Sequence, residues 1–173
     1  RFPIVHEACS LTKLGDTGLL YHLKGKSANE PAVLMAHYDV VPVEEDQWEK
    51  PAFDAVLEDG VLWGRGTLDT KGTLCGILEA LEMLVKEGYV PQNDLYLSFS
   101  GEEEIDGNSC ADIVSHLEQM GVKPAMVLDE GGMILDEPMA GVKGYFAMVG
   151  VGEKGYTDLK FTAHSQGGHA STP

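Results

Sequence analysis

Four separate segments of this chain end in residues able to bind a metal. His37 closes the apolar run PAVLMAH, Asp69 follows WGRGTL, Glu102, Glu103 and Glu104 follow DLYLSFSG, and Asp129 closes AMVLD. Imidazole and carboxylate together form a ligand set suited to zinc, or to a pair of zincs. The three consecutive glutamates raise the point most sharply. Like charges side by side repel, and each resists losing its water. A lone acidic run is usually a solvated loop. A divalent cation facing the run relieves the repulsion, and the other acid and histidine ends favour that reading. In AHYD, His37 and Asp39 stand at i and i+2, so in an extended segment they share one side. A ligating histidine usually donates its second N–H to a carboxylate, which fixes its tautomer. Asp39 is placed to do this, although a surface His beside a surface Asp explains the pair equally well when taken alone.

These residues need a scaffold that brings them together. TGLLYHLKG (17–25), PAVLMAH (31–37), DLYLSFS (94–100) and AMVLD (125–129) read as strands. AVLEDGVLWGRG reads as a hairpin turning at Asp59-Gly60. Between Thr70 and Glu87, the residues Leu74, Ile77, Leu78, Leu81, Leu84 and Val85 fall on one face of a helix that Gly88 ends. A second helix carries Cys110, Ile113, Val114, Leu117 and Met120, with Asn108 as its expected cap and Gly121 as its stop. Strands alternating with helices predict an α/β fold: a mainly parallel, twisted sheet covered by helices. In such sheets, ligands bind outside the carboxyl ends of the strands, where the acids and His37 stand. GRGTLDTKG is not a phosphate loop, because its lysine precedes the glycine; its glycines are read as a tight turn into the helix that holds Asp69. After Gly141 the pattern changes to two long strands with no helix between them, predicting a smaller unit that begins near residue 153.

Composition narrows the classes of function. The chain has 173 residues and a net charge of −16, from 28 acidic and 12 basic residues. That balance argues against nucleic acid or an anionic membrane surface as partner and is compatible with cations. No apolar run approaches the roughly 20 residues of a membrane span. Cys9, Cys75 and Cys110 are odd in number and lack CxxC spacing, so they are expected as reduced thiols of a cytoplasmic protein.

LMAHYDVVPV, WGRGTLDTKG, GEEEIDG, LDEGG and GGHASTP occur in that order from about residue 31 to the end. Together they resemble the co-catalytic zinc hydrolase family of aminoacylase, carboxypeptidase S, glutamate carboxypeptidase, acetylornithine deacetylase and succinyl-diaminopimelate desuccinylase. HYDVVPV, the W…KPAF loop and LDEGG look most like the carboxypeptidase S and aminoacylase branch. The resemblance implies two zinc ions and a set of roles. His37 and Asp129 would share one metal, Asp69 would bridge both, and Glu104 would ligate the other. Glu103 would be the general base, Asp39 the residue that orients His37, and His169 of GGHAS a substrate contact delivered by a lid domain. Glu102 carries no implied role.

The implied reaction is hydrolysis of an amide or peptide bond in a small N-acyl amino acid or peptide with a free carboxylate. Residues 1–152 are then expected as an incomplete catalytic domain and 153–173 as the start of an α+β lid and dimerisation domain. The family's last zinc-ligand histidine lies beyond Pro173, so this stretch is expected to be inactive alone, with a homodimer possible through the lid. Two rival readings are a dinuclear zinc aminopeptidase and a non-catalytic homologue that binds metal or peptide. The first has no reason to carry GGHASTP, and loss of Glu103 or Asp69 would have favoured the second.

Overall fold

The computed structural model describes residues 1–152, 154–155 and 157–164. In chain order they form α1 (Pro3–Ala8), β1 (Ser10–Leu14), β2 (Gly18–Leu23), β3 (Ser27–His37), β4 (Val56–Glu58), β5 (Val61–Trp63), α2 (Lys71–Lys86), β6 (Asn93–Ser100), α3 (Ser109–Gln119), β7 (Met126–Leu128), β8 (Ile134–Asp136) and β9 (Tyr145–Ala147). They divide into two compact units, one ending at Glu130 and the other starting at Gly131. The expected boundary at 152/153 falls inside the second unit.

In the first unit, five strands form one sheet in the order β1-β2-β6-β3-β7. The α/β class stands, and the sheet is mixed. β3 runs parallel to both β6 and β7, β2 pairs antiparallel with the other edge of β6, and β1 pairs antiparallel with β2. The short link between β1 and β2 accounts for the antiparallel pairing of those two strands, since a hairpin can only join antiparallel neighbours.

β6 lies inside the sheet, and its alternation builds two cores. Leu97 and Phe99 face α1 and α2, packing with Val5, Tyr21, Ala36 and Leu81. Tyr96 faces the other way, where Leu20, Val33, Ile113 and Leu117 form the core under α3. The helix expected from the 70–87 periodicity is α2, and its Leu74, Ile77, Leu78, Leu81 and Val85 all reach the first core. Leu84, expected on the same stripe, is 42% exposed. Both long helices end as their glycines predict. Gly88 and Gly121 adopt φ of +84° and +71°. Tyr89 N–H then reaches Leu84 O, and Val122 N–H reaches Leu117 O, each at 2.9 Å. The hairpin also forms as read: β4 and β5 pair antiparallel across Asp59 and Gly60, both in the left-handed region.

The start of α3 differs from expectation. Asn108 stands at its N-cap but makes no side-chain cap. Glu102 supplies one instead, its Oε2 accepting the Ser109 N–H at 3.0 Å. A carboxylate is the stronger acceptor and also suits the positive end of the helix.

In the second unit, β8 and β9 form an antiparallel pair. Two long strands were expected across 142–164; among the described residues only Tyr145–Ala147 is extended into a ladder. A strand needs a partner for its backbone N–H and C=O groups, and here β9 finds one only for three residues.

A buried aspartate locks the junction between β2 and β6. Asp94 is 6% exposed. Its Oδ1 accepts the Gly25 N–H at 2.8 Å, and its Oδ2 lies 2.8 Å from His22 Nε2. Burial pushes this carboxyl up, but the Gly25 N–H and the His22 imidazole outweigh it and hold the group below the ordinary carboxylate range. A depressed folded-state pKa contributes stability above the unfolded value and loses it as pH falls through the folded one. Asp94→Ala is therefore expected to cost about 1–3 kcal/mol near neutral pH in chemical denaturation, because the Gly25 N–H loses its acceptor. The gap between variant and parent should close as the pH falls below the ordinary carboxylate range. A gap unchanged by acid would show that the contribution is not ionic.

Candidate metal and catalytic site

His37 is the last residue of β3 and pairs in register with Ser100, the last of β6. Parallel strands that end level deliver their following loops to one edge, so the segment after Ser100 arrives beside His37. Gly101 makes the close approach possible: a Cβ there would stand 2.6 Å from the Tyr38 ring. Tyr38 is itself fixed, its hydroxyl donating to Thr17 O at 2.6 Å. Asp69 comes from the turn before α2. There Gly66 adopts φ +87°, and a side chain would meet Val40 and Lys71. The tight turn expected of GRGTLDTKG is thus present.

The His37 side chain is 2% exposed and meets oxygens on every polar side. Nε2 lies 2.9 Å from Asp69 Oδ1, 3.2 Å from Glu130 Oε1 and 3.9 Å from Glu103 Oε2. Nδ1 faces the Asp39 carbonyl at 3.2 Å. The Asp39 carboxylate is near too, with Oδ1 at 3.3 Å, but that oxygen is buried without a hydrogen bond. Its other oxygen, Oδ2, accepts the Glu104 N–H at 2.9 Å. Asp39 therefore touches both His37 and the backbone that carries Glu104.

The electrostatics follow from this crowding. Burial alone pushes the His37 imidazole down, but the Asp69 hydrogen bond and the Glu130 and Glu103 charges outweigh it, and the net shift is upward. Burial pushes Glu103 up, aided by Glu104, Glu130 and Asp39 against the opposing pull of His37. Glu130 is also raised, chiefly by burial and by repulsion from Asp69 and Asp129, although Thr70 and His37 oppose this. Each ring nitrogen of His37 thus faces acceptors. A doubly protonated ring satisfies that arrangement, and so does a neutral ring with Nδ1–H on the Asp39 carbonyl and a cation on Nε2. The donor set fits a divalent metal.

Among the described residues, two groups of ligand atoms are compact enough to hold one. His37, Asp69 and Glu104 form the first, and His37, Glu103 and Glu130 the second, with all atoms of a group within 4.8 Å of one another. Of the residues singled out from the sequence, His37, Asp39, Asp69, Glu103 and Glu104 come together. Asp129 does not join them: its Oδ1 accepts the N–H of Glu130, and Glu130 takes the position beside His37. Glu130 was missed because LDEGG offers two adjacent carboxylates after β7, and the sequence does not say which of them turns to His37. Thr70, hydrogen-bonded to Glu130, was missed as well. His169 lies outside the described residues.

The sequence profile of peptidase family M20/M25/M40 matches residues 33–167. A human protein named "N-fatty-acyl-amino acid synthase/hydrolase PM20D1" is 38% identical over 155 residues, 89% of this chain and 31% of that protein. "Probable carboxypeptidase S-like 2" of Dictyostelium discoideum is 38% identical over 177 residues, 99% of this chain and 34% of its own length. The chain thus spans about a third of the curated relatives it matches. Among solved structures, an M20 family metallo-carboxypeptidase from Sulfolobus solfataricus, Sso-CP2, aligns with a TM-score of 0.60 at 26% identity, over 75% of this chain and 30% of that one. Human carnosine dipeptidase 1 aligns with a TM-score of 0.62 at 16% identity, covering 75% of this chain and 31% of that one, a likeness of fold.

Proposed function

Because the chain belongs to peptidase family M20/M25/M40, we propose that its full-length protein is a zinc-dependent hydrolase cleaving an amide or peptide bond of an N-acyl amino acid or small peptide with a free carboxylate. The observation that carries this reading is the convergence of carboxylates from the segments after β6, before α2 and after β7 on the buried nitrogen of His37. The names of the relatives support it. One is called a synthase/hydrolase of N-fatty-acyl amino acids and another a carboxypeptidase, and both terms describe chemistry at an amide beside a carboxylate.

His37, Asp69 and Glu104 would hold metal, with Glu130 as a further oxygen donor on the same imidazole. When bound, a divalent metal lowers the pKa of its water and polarises the amide carbonyl. Glu103 would take a proton from the attacking water and return it to the leaving amine. Two observations support that role. Its carboxylate stands 3.9 Å from His37 Nε2, at the margin of the cluster and half exposed. Burial and the neighbouring acids also hold its carboxyl above the ordinary glutamate range, which suits a group that must accept and then release a proton. Asp39 would act as a positioning residue, setting His37 through its carbonyl and Glu104 through its carboxylate.

Elemental analysis of the full-length protein tests the reading, after purification without chelator and with zinc added back. About one to two zinc ions per chain are expected, and none in His37→Ala, because His37 supplies the nitrogen of both ligand groups. A full-length protein without zinc would overturn the proposal.

A further inference from the structure

The three glutamates after β6 share one short loop, and the first of them is held differently from the other two. The loop leaves β6 beside His37, where the Tyr38 N–H reaches Ser100 O at 2.9 Å. Glu103, Glu104 and Ile105 then form a single 3-10 turn. The middle of that turn is tied to the site, because the Glu104 N–H donates to Asp39 Oδ2 at 2.9 Å. Asp106 takes the left-handed conformation, φ +51°, and turns the chain back. Glu102 closes the far end twice. Its carbonyl accepts the Gly107 N–H at 2.9 Å, and its carboxylate accepts the Ser109 N–H at 3.0 Å. The side chain lies so close to Gly107 that a Cβ there would stand 2.4 Å from Glu102 Cβ.

A cap for α3 could have come from Asn108, which stands at the N-cap and makes no side-chain bond. Taking the acceptor from the residue before Glu103 instead joins the loop to a fixed body, since Ser109 is buried and Ile113 and Leu117 belong to the core. Pinning both ends of a short loop leaves its middle little freedom to lose. The charge of Glu102 is met by the positive end of the helix, so it does not compete with its two neighbours for a cation. We propose that Glu102 is a positioning residue: by tying the loop to Gly107 and to the first turn of α3, it holds Glu103 and Glu104 against His37. That Glu103 and Glu104 serve a metal-activated water rests on the hydrolase reading; the fixing of the loop does not.

The test joins zinc titration to hydrogen exchange on the full-length protein. Glu102→Ala removes the carboxylate tie. Gly107→Ala displaces Glu102 from the opposite side and keeps the test valid if Glu102→Ala does not fold. Glu102→Gln keeps the length and an oxygen acceptor. Ile113→Val lowers stability under α3 with the tie intact. In Glu102→Ala and Gly107→Ala, zinc affinity should fall about 10- to 100-fold, the usual cost of losing a group that orients metal ligands. The amides of 103–107 should exchange faster in the metal-free protein. Glu102→Gln should bind zinc within about fivefold of the parent, and Ile113→Val should bind it as the parent does. Unchanged zinc affinity in Glu102→Ala, with only the α3 amides exchanging faster, would make Glu102 a helix cap and overturn the proposal. A loss as large in Glu102→Gln would trace the effect to charge, and one as large in Ile113→Val to stability; either overturns it too. A parent protein that takes up no zinc sinks the hydrolase reading alone. Exchange over 103–107 in the metal-free variants then decides this proposal: faster exchange supports it, and parental exchange refutes it.

Discussion

Glu103→Gln is expected to leave zinc in place and to remove nearly all turnover from the full-length protein. Glutamine keeps the shape of the side chain and one oxygen, so the surrounding packing is preserved. It cannot take a proton at neutral pH. A positioned general base is worth about 10²–10⁴ in rate, and kcat should fall by that factor with KM little changed, because the lost interaction belongs to the transition state. Metal analysis must accompany the kinetics, since Glu103 also belongs to a compact ligand group with His37 and Glu130. If the variant loses zinc, Glu103 is a ligand. If it keeps zinc and near-parental kcat, Glu103 is not the base.

The second large effect is expected for Asp69→Ala. Asp69 Oδ1 makes the shortest contact to the His37 ring, at 2.9 Å. Its side chain is 67% exposed, so the carboxylate stands at the mouth of the cluster and not in its floor. If Asp69 bridges two ions, as the family resemblance implies, its removal leaves each ion short of a ligand, and zinc should fall from about two per chain to none. Two zincs retained would refute bridging. One zinc retained would assign it to the group of His37, Glu103 and Glu130, which does not include Asp69. Circular dichroism recorded in parallel separates loss of metal from loss of fold.

Much of this arrangement is legible in the sequence because it rests on short-range rules. The periodicity of 70–87 gives α2, the alternation of DLYLSFS gives β6, Asp59-Gly60 gives the hairpin, and Gly88 and Gly121 give the helix ends. The ends of β3 and β6 place His37 beside the glutamates because parallel strands finish on the same edge. What the sequence could not supply depends on contacts between distant segments. The antiparallel addition of β1 and β2 is one case, since pairing partners are chosen in three dimensions. The choice of Glu130 over Asp129 is another, turning on the path of the backbone after β7. Glu102 shows a third kind of blind spot. It was one acid of a run with no distinguishing neighbour, and its function as the cap of α3 became visible only once Ser109 came within 3.0 Å. Arg65 and Trp48 are a fourth, seventeen residues apart in sequence and stacked in space.

The level register of β3 and β6 has a consequence for how the chain can change length. His37 faces Ser100 across a ladder whose side chains alternate with a period of two. Adding or deleting one residue within the regular stretch Ala32–His37 would turn the imidazole to the opposite face of the sheet, away from the acids it meets. The tip of the β4–β5 hairpin at Asp59-Gly60 is the reverse case. Its residues are exposed, and a side chain on Gly60 would meet nothing within 4 Å. Natural insertions, purification tags and reporter loops therefore have an open position there, at the tip of a separate two-stranded sheet. The regular stretch Ala32–His37 has no such freedom, so variation in chain length should collect in the hairpin and stay out of the end of β3 that carries His37.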